Sequence, residues 1–485
     1  MNKFTALSFI VISGVVLSAC FTHAPARYGG AGRSLIHNDS SYKLAVLEFG
    51  EFGSYADPSM AQKEDAIKLL RGTPRPLLVM YIHGWHNNVT SRDVDRFKGF
   101  LSRLSEARDI TTNHLNIVGI YFAWPGENLS VPVLNTFTFW DRKRAAERIA
   151  SNDDCLDAIE QLSHAARDHG PSYTFLIGHS FGGLIVERTV AHTLRTLQGN
   201  QNIRPPWDLA LILNPASDSI LARQIVSSLQ GLYTYDDREG FVPKGGGPAI
   251  PENQPAIVEL QSENDTATAV TFPVGSSLGS IIGGHWAWNK VPIPRGATGD
   301  APGNNVSERQ FYLSTPGNSR YLINYSIVHV DAPIPKDVRD AFDANLRNNP
   351  VNRIFYTSAP RDSETAATAA LHGAAAPNSP ISNWKAWQIR YAGSVDPIAY
   401  GGNARVPFWI VRVPSDIIDN HGGIWSDNNM ALMAAIFRLH RPIATQHVVV
   451  SGHIIEEKTV LHPAKAYNLP NNPELQKPAV DRSNQ

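Results

Sequence analysis

Tyr173-Thr174-Phe175-Leu176-Ile177-Gly178-His179-Ser180-Phe181-Gly182-Gly183 joins two patterns that chance seldom sets side by side. Residues 173–177 are a strand-favouring run, and from Leu184 the apolar positions take helical spacing. Between them stands Gly-X-Ser-X-Gly. A strand that stops abruptly at a helix start forces the serine backbone into a strained conformation. Glycines two before and two after it remove the side chains that would collide there. The following helix aims its first N–H groups at the spot where negative charge would develop. The stretch therefore predicts an elbow that presents Ser180 as a nucleophile; a plain strand-turn-helix junction is the alternative.

The 485 residues around this centre suffice for one large domain or two ordinary ones. With 42% hydrophobic and 18% charged residues the chain is globular, and a net charge of −1 offers nothing to capture nucleic acid. Its first residues do not read as part of the fold. Lys3 is a short basic start, Phe4 to Val16 is apolar but short for a span, and Leu17-Ser18-Ala19-Cys20 closes the run with small residues. This ending resembles the lipobox of bacterial lipoproteins. The resemblance implies a signal peptide over 1–19 and palmitate-like acyl chains on Cys20, each buried methylene adding about 0.8 kcal/mol to a membrane anchor. An ordinary cleaved signal or a membrane helix is the alternative. By analogy with enterobacterial sorting, Phe21 favours the outer over the inner membrane of a bacterial envelope. Residues 20–40, rich in Gly, Ala and Ser, read as the lipidated cysteine and a tether. Cys155, the second of two cysteines, lies in a helical pattern with no partner left and reads as a small buried apolar residue.

From there strand and helix signals alternate. Tyr42 to Phe49 is a first strand, and Leu77-Leu78-Val79-Met80-Tyr81-Ile82 is a continuous apolar run suited to a strand covered on both faces. A helix follows over Val94–Leu104, a strand over Leu115–Trp124 and a long helix over Arg142–Arg167. After the elbow come strands at Leu209–Leu213 and Ala256–Leu260. Such alternation calls for a parallel sheet with helices on both faces.

These features together resemble an α/β-hydrolase over roughly Leu77–Asp265 and again from Val406. Ile82-His83-Gly84-Trp85-His86-Asn87-Asn88 is similar to the His-Gly-Tyr-Asn-Asn segment of a group of bacterial hydrolases. The resemblance implies an α/β-hydrolase fold, mostly parallel sheet, with a large insertion before the last core strand. It implies that the N–H groups of Trp85 and Phe181 form an oxyanion hole, with His83 bracing the loop. Pancreatic-type lipases carry their acid in Leu-Asp-Pro-Ala, where this chain has Leu213-Asn214-Pro215-Ala216. An amide cannot supply that charge. The run Glu259-Leu260-Gln261-Ser262-Glu263-Asn264-Asp265 resembles the usual acid loop, so Asp265 is the expected acid, with Asp218 and Glu263 as alternatives. In the family's order of Ser, Asp and His, the base follows. His421 stands in a loop after the last strong strand, Val406–Val413, and is the expected base; His329, His440, His447 and His453 read as surface or packing residues.

The expected reaction is hydrolysis of a carboxylic ester, as by an esterase or lipase, through an acyl-enzyme on a Ser180-His421-Asp265 triad. No cofactor or metal is called for, and no zinc-type His-Glu-X-X-His occurs. A peptidase or amidase of the same fold, or a non-catalytic binding lipoprotein, are the rival readings. Expected partners are a small-molecule ester or lipid, and a membrane through Cys20. The domain is placed over 41–465, with a loose tail from 466. Its insertion, about 266–405, carries Trp286, Trp288, Trp384 and Trp387. It reads either as a lid over Ser180 that admits an acyl chain or as an excursion packed on the sheet.

Overall fold

The computed structural model describes residues 35–105, 114–126, 135–168, 172–199, 205–236, 238–246, 249–251, 254–273, 276, 290–291, 306–307, 309–319, 322–330, 353–358, 384–391, 405–437, 446–450 and 453–458. Residues 1–34, among them Cys20 and the span read as a signal peptide, lie outside them. The chain divides into two compact units, Met1–His440 and Arg441–Gln485. In the second, the strands Gln446–Val450 and His453–Lys458 pair antiparallel as a hairpin that carries His447 and His453.

The first unit is built on one sheet. Its strands are β1 (Leu35–Asn38), β2 (Tyr42–Glu48), β3 (Pro76–Ile82), β4 (Asn116–Ala123), β5 (Tyr173–His179) and β6 (Leu209–Leu213), followed by β7 (Ile257–Ser262), β8 (Tyr325–Val330), β9 (Arg353–Ser358), β10 (Trp384–Tyr391) and β11 (Phe408–Val413). Across the sheet the order is β1-β2-β4-β3-β5-β6-β7-β11-β8-β10-β9. Every neighbouring pair from β2 to β8 is parallel. The edges are antiparallel. Each of β3 and β6 is buried along its whole length, as expected of apolar runs without alternation.

Helices cover both faces. One face holds α1 (Ala61–Arg71), α3 (Asn135–Ser151), α4 (Asp153–Arg167), α5 (Phe181–Gly199) and α6 (Ser219–Leu232), whose apolar residues share a core with Leu78, Met80, Leu176 and Ile212. The other holds α2 (Arg92–Ser105) and α7 (Asp427–Phe437), packed on Val79, Tyr81, Ile177 and Leu211. The alternation of side chains along each central strand supplies both cores at once.

Two sequence expectations change here, and the insertion gains a place in the sheet. The helix read over Arg142–Arg167 is two helices, because Asn152 leaves the helical region and its Oδ1 accepts the Asp154 N–H at 2.9 Å, capping α4. The span read as tether to residue 40 holds a strand, Leu35–Asn38. Asp39 closes a hairpin there, its Oδ1 accepting from the N–H and hydroxyl of Ser41, and β1 pairs with β2. Within the insertion β8, β10 and β9 extend the sheet beyond β11, Lys290–Val291 and Val306–Ser307 pair with each other apart from it, and Trp387 and Ile389 of β10 are core residues. Trp286 and Trp288 lie outside the described residues.

Candidate active site

β5 runs into α5 through a turn whose serine has φ +57°, a region that non-glycine residues seldom enter. Hydrogen bonds overdetermine that strain: the Ser180 N–H donates to Leu213 O at 3.1 Å, and its carbonyl accepts from Leu184 and Ala216 at 3.1 and 3.0 Å. The flanking glycines are required by space. A Cβ on Gly178 would lie 2.6 Å from the Gly182 carbonyl oxygen, and one on Gly182 would overlap the carbonyl oxygens of Ile82 and His83. β3 and the elbow therefore touch backbone to backbone.

Three side chains from distant parts of the chain converge at this turn. Ser180 Oγ lies 2.8 Å from His421 Nε2, and His421 Nδ1 lies 2.8 Å from Asp265 Oδ2. With its proton on Nδ1, the imidazole donates to the carboxylate and accepts from the serine hydroxyl. Asp265 is fully buried, while the His421 side chain is 26% exposed, open to an incoming molecule. Burial opposes the charge on Asp265. The hydrogen bond and positive end of His421, with the N–H and hydroxyl of Thr268, outweigh it and hold the carboxyl below its ordinary value.

The loop after β3 lies against the same turn. Trp85 and Phe181 each keep a backbone N–H without an acceptor among the described residues. His86, at φ +62°, ties the loop to Gly126 O at 2.9 Å. His83 is fully engaged: its Nδ1–H donates to Gly84 O at 2.8 Å, its Nε2 accepts from the Trp124 N–H at 3.0 Å, and its ring stacks on Trp124. Burial depresses its pKa, which suits a neutral brace. The buried guanidinium of Arg142 bonds Glu51, Asp141 and the carbonyl of Pro125, and fixes the strand end from which His83 is held. The Trp85 ring stacks on His86 at 4.1 Å and meets Phe139 edge-on at 5.9 Å.

The other candidate acids stand elsewhere. Asp218 pairs with Lys143 Nζ at 3.1 Å in front of α6, and Glu263 is exposed at the end of β7. Cys155 is buried, and burial, reinforced by Asp154, pushes its thiol up to about 12, which leaves it inert. Four residues of this corner escaped the sequence reading: His179, Asn214, Gln261 and Arg142. Asn214 drew notice only as a missing acid. Its backbone, at φ +44°, repeats the left-handed turn of Ser180 at the end of the next strand.

A parallel sheet of this strand order, with a strained serine turn after β5 and a histidine loop after β11, defines an α/β-hydrolase fold. No family model and no curated relative matches the chain. Among solved structures, esterase B from Lactobacillus rhamnosis, inhibited by a tributyrin phosphonate, is 16% identical with a TM-score of 0.20, over 59% of this chain and 82% of its own. Phospholipase PlaB from Legionella pneumophila, in complex with thio-NAD, is 13% identical with a TM-score of 0.18, over 68% and 82%. Both overlaps are loose, and neither transfers an activity to this chain.

Proposed function

We propose that the protein is a serine hydrolase that cleaves a carboxylic ester through an acyl-enzyme. The observation that carries this reading is the unbroken contact of Ser180 Oγ, His421 and Asp265, each step at 2.8 Å. In the reaction His421 Nε2 takes the Ser180 proton as Oγ bonds the substrate carbonyl carbon. Asp265 stabilises the imidazolium that forms, and the N–H groups of Trp85 and Phe181 receive the oxyanion, typically worth about 10²–10³ in rate for each donor. The imidazolium then protonates the departing alkoxide as the C–O bond breaks. Water, deprotonated by the same histidine, releases the acid and restores Ser180. In this reading lipid on Cys20 holds the enzyme on the envelope, at the outer membrane, where a lipid or small ester is its substrate.

A fluorophosphonate probe and a series of nitrophenyl esters test it. Labelling and ester turnover by the wild type, both lost in Ser180→Ala, are expected. Absence of labelling would leave a binding lipoprotein, and turnover of anilides in preference to esters would leave an amidase. A preference for acetate over decanoate would argue against an acyl-chain lid. Cys20→Ala is expected to lose radiolabelled palmitate and to leave the membrane fraction.

A further inference from the structure

His421 stands on a loop between β11 and α7, so the position of its ring depends on what holds that loop's backbone. Two side chains do. The Nε2–H of His179 donates to the His421 carbonyl oxygen at 2.9 Å. Nδ2 of Asn214 donates to the same oxygen at 3.0 Å and to the Asn420 carbonyl at 3.2 Å. The far end of Asn214 is fixed too, its Oδ1 accepting from the Ser262 N–H at 2.8 Å and from Gln261 Nε2 at 3.4 Å. Gln261 Nε2 in turn donates to Asp265 Oδ2 at 2.8 Å and to Thr268 Oγ1 at 2.9 Å. A path of hydrogen bonds thus runs from the histidine loop to the Asp265 carboxylate across the ends of β5, β6 and β7.

We propose that His179 and Asn214 are positioning residues, which set the reach of His421 to Ser180 by clamping its main-chain carbonyl. The inference rests on the reading of Ser180 as the nucleophile. Its chemistry is specific about residue type. Asn214 is fully buried between two acceptors on one side and two donors on the other, a demand that an amide meets at both ends. A carboxylate there would turn negative charge toward two carbonyl oxygens. His179 is kept neutral by burial and by His421, which push it down to about 4, and its Nδ1 has no partner, so its single proton serves the clamp from Nε2. The titratable groups facing this corner are His179, His421 and Asp265, with Asp93 further off.

The test is the rate at which the full-length protein, in detergent micelles, is labelled by a fluorophosphonate between pH 6 and pH 9. Labelling of the wild type, absent in Ser180→Ala, establishes the nucleophile independently of the clamp; no labelling would overturn both readings. Asn214→Asp, which tolerates the same left-handed backbone, is expected to label about 10²-fold more slowly at high pH, as a misplacement of about 1 Å would cause. Its deficit should shrink toward pH 6, where its carboxyl regains a proton to donate. His179→Leu should be slowed by a similar factor, and His179→Gln, which keeps a donor at that reach, should recover most of the rate. Melting midpoints establish that each variant is folded, and the His179 pair decides alone if Asn214→Asp is not. Labelling of Asn214→Asp and His179→Leu within about twofold of wild type would overturn the clamp, since a displaced base costs far more. So would a Gln variant no faster than the Leu variant, or a deficit in Asn214→Asp that is the same at every pH.

Discussion

Glu187 and Glu259 should make the stability of this protein fall as pH rises, and one substitution isolates the effect. Both are fully buried, one on α5 two turns beyond Ser180 and the other within β7. Glu259 Oε1 accepts the Gly317 N–H at 2.9 Å. Its Oε2 and both carboxyl oxygens of Glu187 meet no partner at hydrogen-bonding geometry, although Glu187 faces Ser217 and Glu259. Burial therefore keeps protons on the pair. It pushes Glu187 from 4.5 up to about 8, with Asp218 adding to the rise, and pushes Glu259 up as well, with Glu187 adding to that. A carboxyl raised by folding contributes its full stability below the unfolded value of 4.5 and loses it as pH climbs toward 8, because the unfolded chain releases a proton that the folded chain keeps. Each retained proton costs about 1.4 kcal/mol per pH unit. Glu187→Gln is a neutral residue of the same shape. The unfolding free energy of the variant minus that of the wild type should therefore grow by about 1.4 kcal/mol per unit from pH 5 to pH 8, to on the order of 4 kcal/mol. Taking the difference cancels opposing groups such as Asp265, whose depressed pKa favours the fold as pH rises. Urea unfolding followed by tryptophan fluorescence at each pH measures it. A difference that stays constant across the range would refute a protonated Glu187 in the folded chain.

Three further substitutions bear on the site. Asp265→Asn should leave the fold intact and lower kcat by about 10³–10⁴-fold, because the amide favours the wrong imidazole tautomer; steady-state kinetics on a nitrophenyl ester read this. Asp218→Asn should leave the Ser180 labelling rate of the folded protein unchanged while costing about 3 kcal/mol in urea unfolding, since it strands the nearly buried Lys143. A loss of labelling instead would return Asp218 to candidacy as the acid. Gly182→Ala should cost about 3 kcal/mol or more and broaden the near-ultraviolet circular dichroism of the elbow region, because the methyl meets backbone oxygens that have nowhere to move.

The parts legible in the sequence are those that depend on near neighbours. The elbow is written within eleven residues, because a strand, a strained turn and a helix start each leave a local pattern in residues 173–183. The apolar run at β3 and the alternation of strand and helix announced a sheet covered on both faces, and the helical pattern around Cys155 announced a small buried residue. Local chemistry also has a limited range. Asn152 is one polar residue in a helical pattern, and only its cap on Asp154 divides the helix. Leu35–Asn38 is short enough to pass for tether until β2 pairs with it.

What the sequence could not decide is set by contacts across large separations. His421 meets residues 241 and 156 positions earlier in Ser180 and Asp265. Three carboxylates, Asp218, Glu263 and Asp265, sit at comparable strand ends, and nothing local says which of them faces the histidine. The answer comes from β7 lying beside β11, a pairing made of backbone hydrogen bonds that carry no side-chain signature. The same pairing turns Asn214 from an absent acid into a link between two loops. Glu187 is likewise an ordinary polar residue in a helical pattern until α5 lies on the sheet and closes it against Glu259. The sequence by itself determined a serine at a strained turn on a parallel sheet. The tertiary structure alone decided which distant groups were brought to that turn, because burial and hydrogen-bond geometry belong to the packed sheet and to no single stretch of chain.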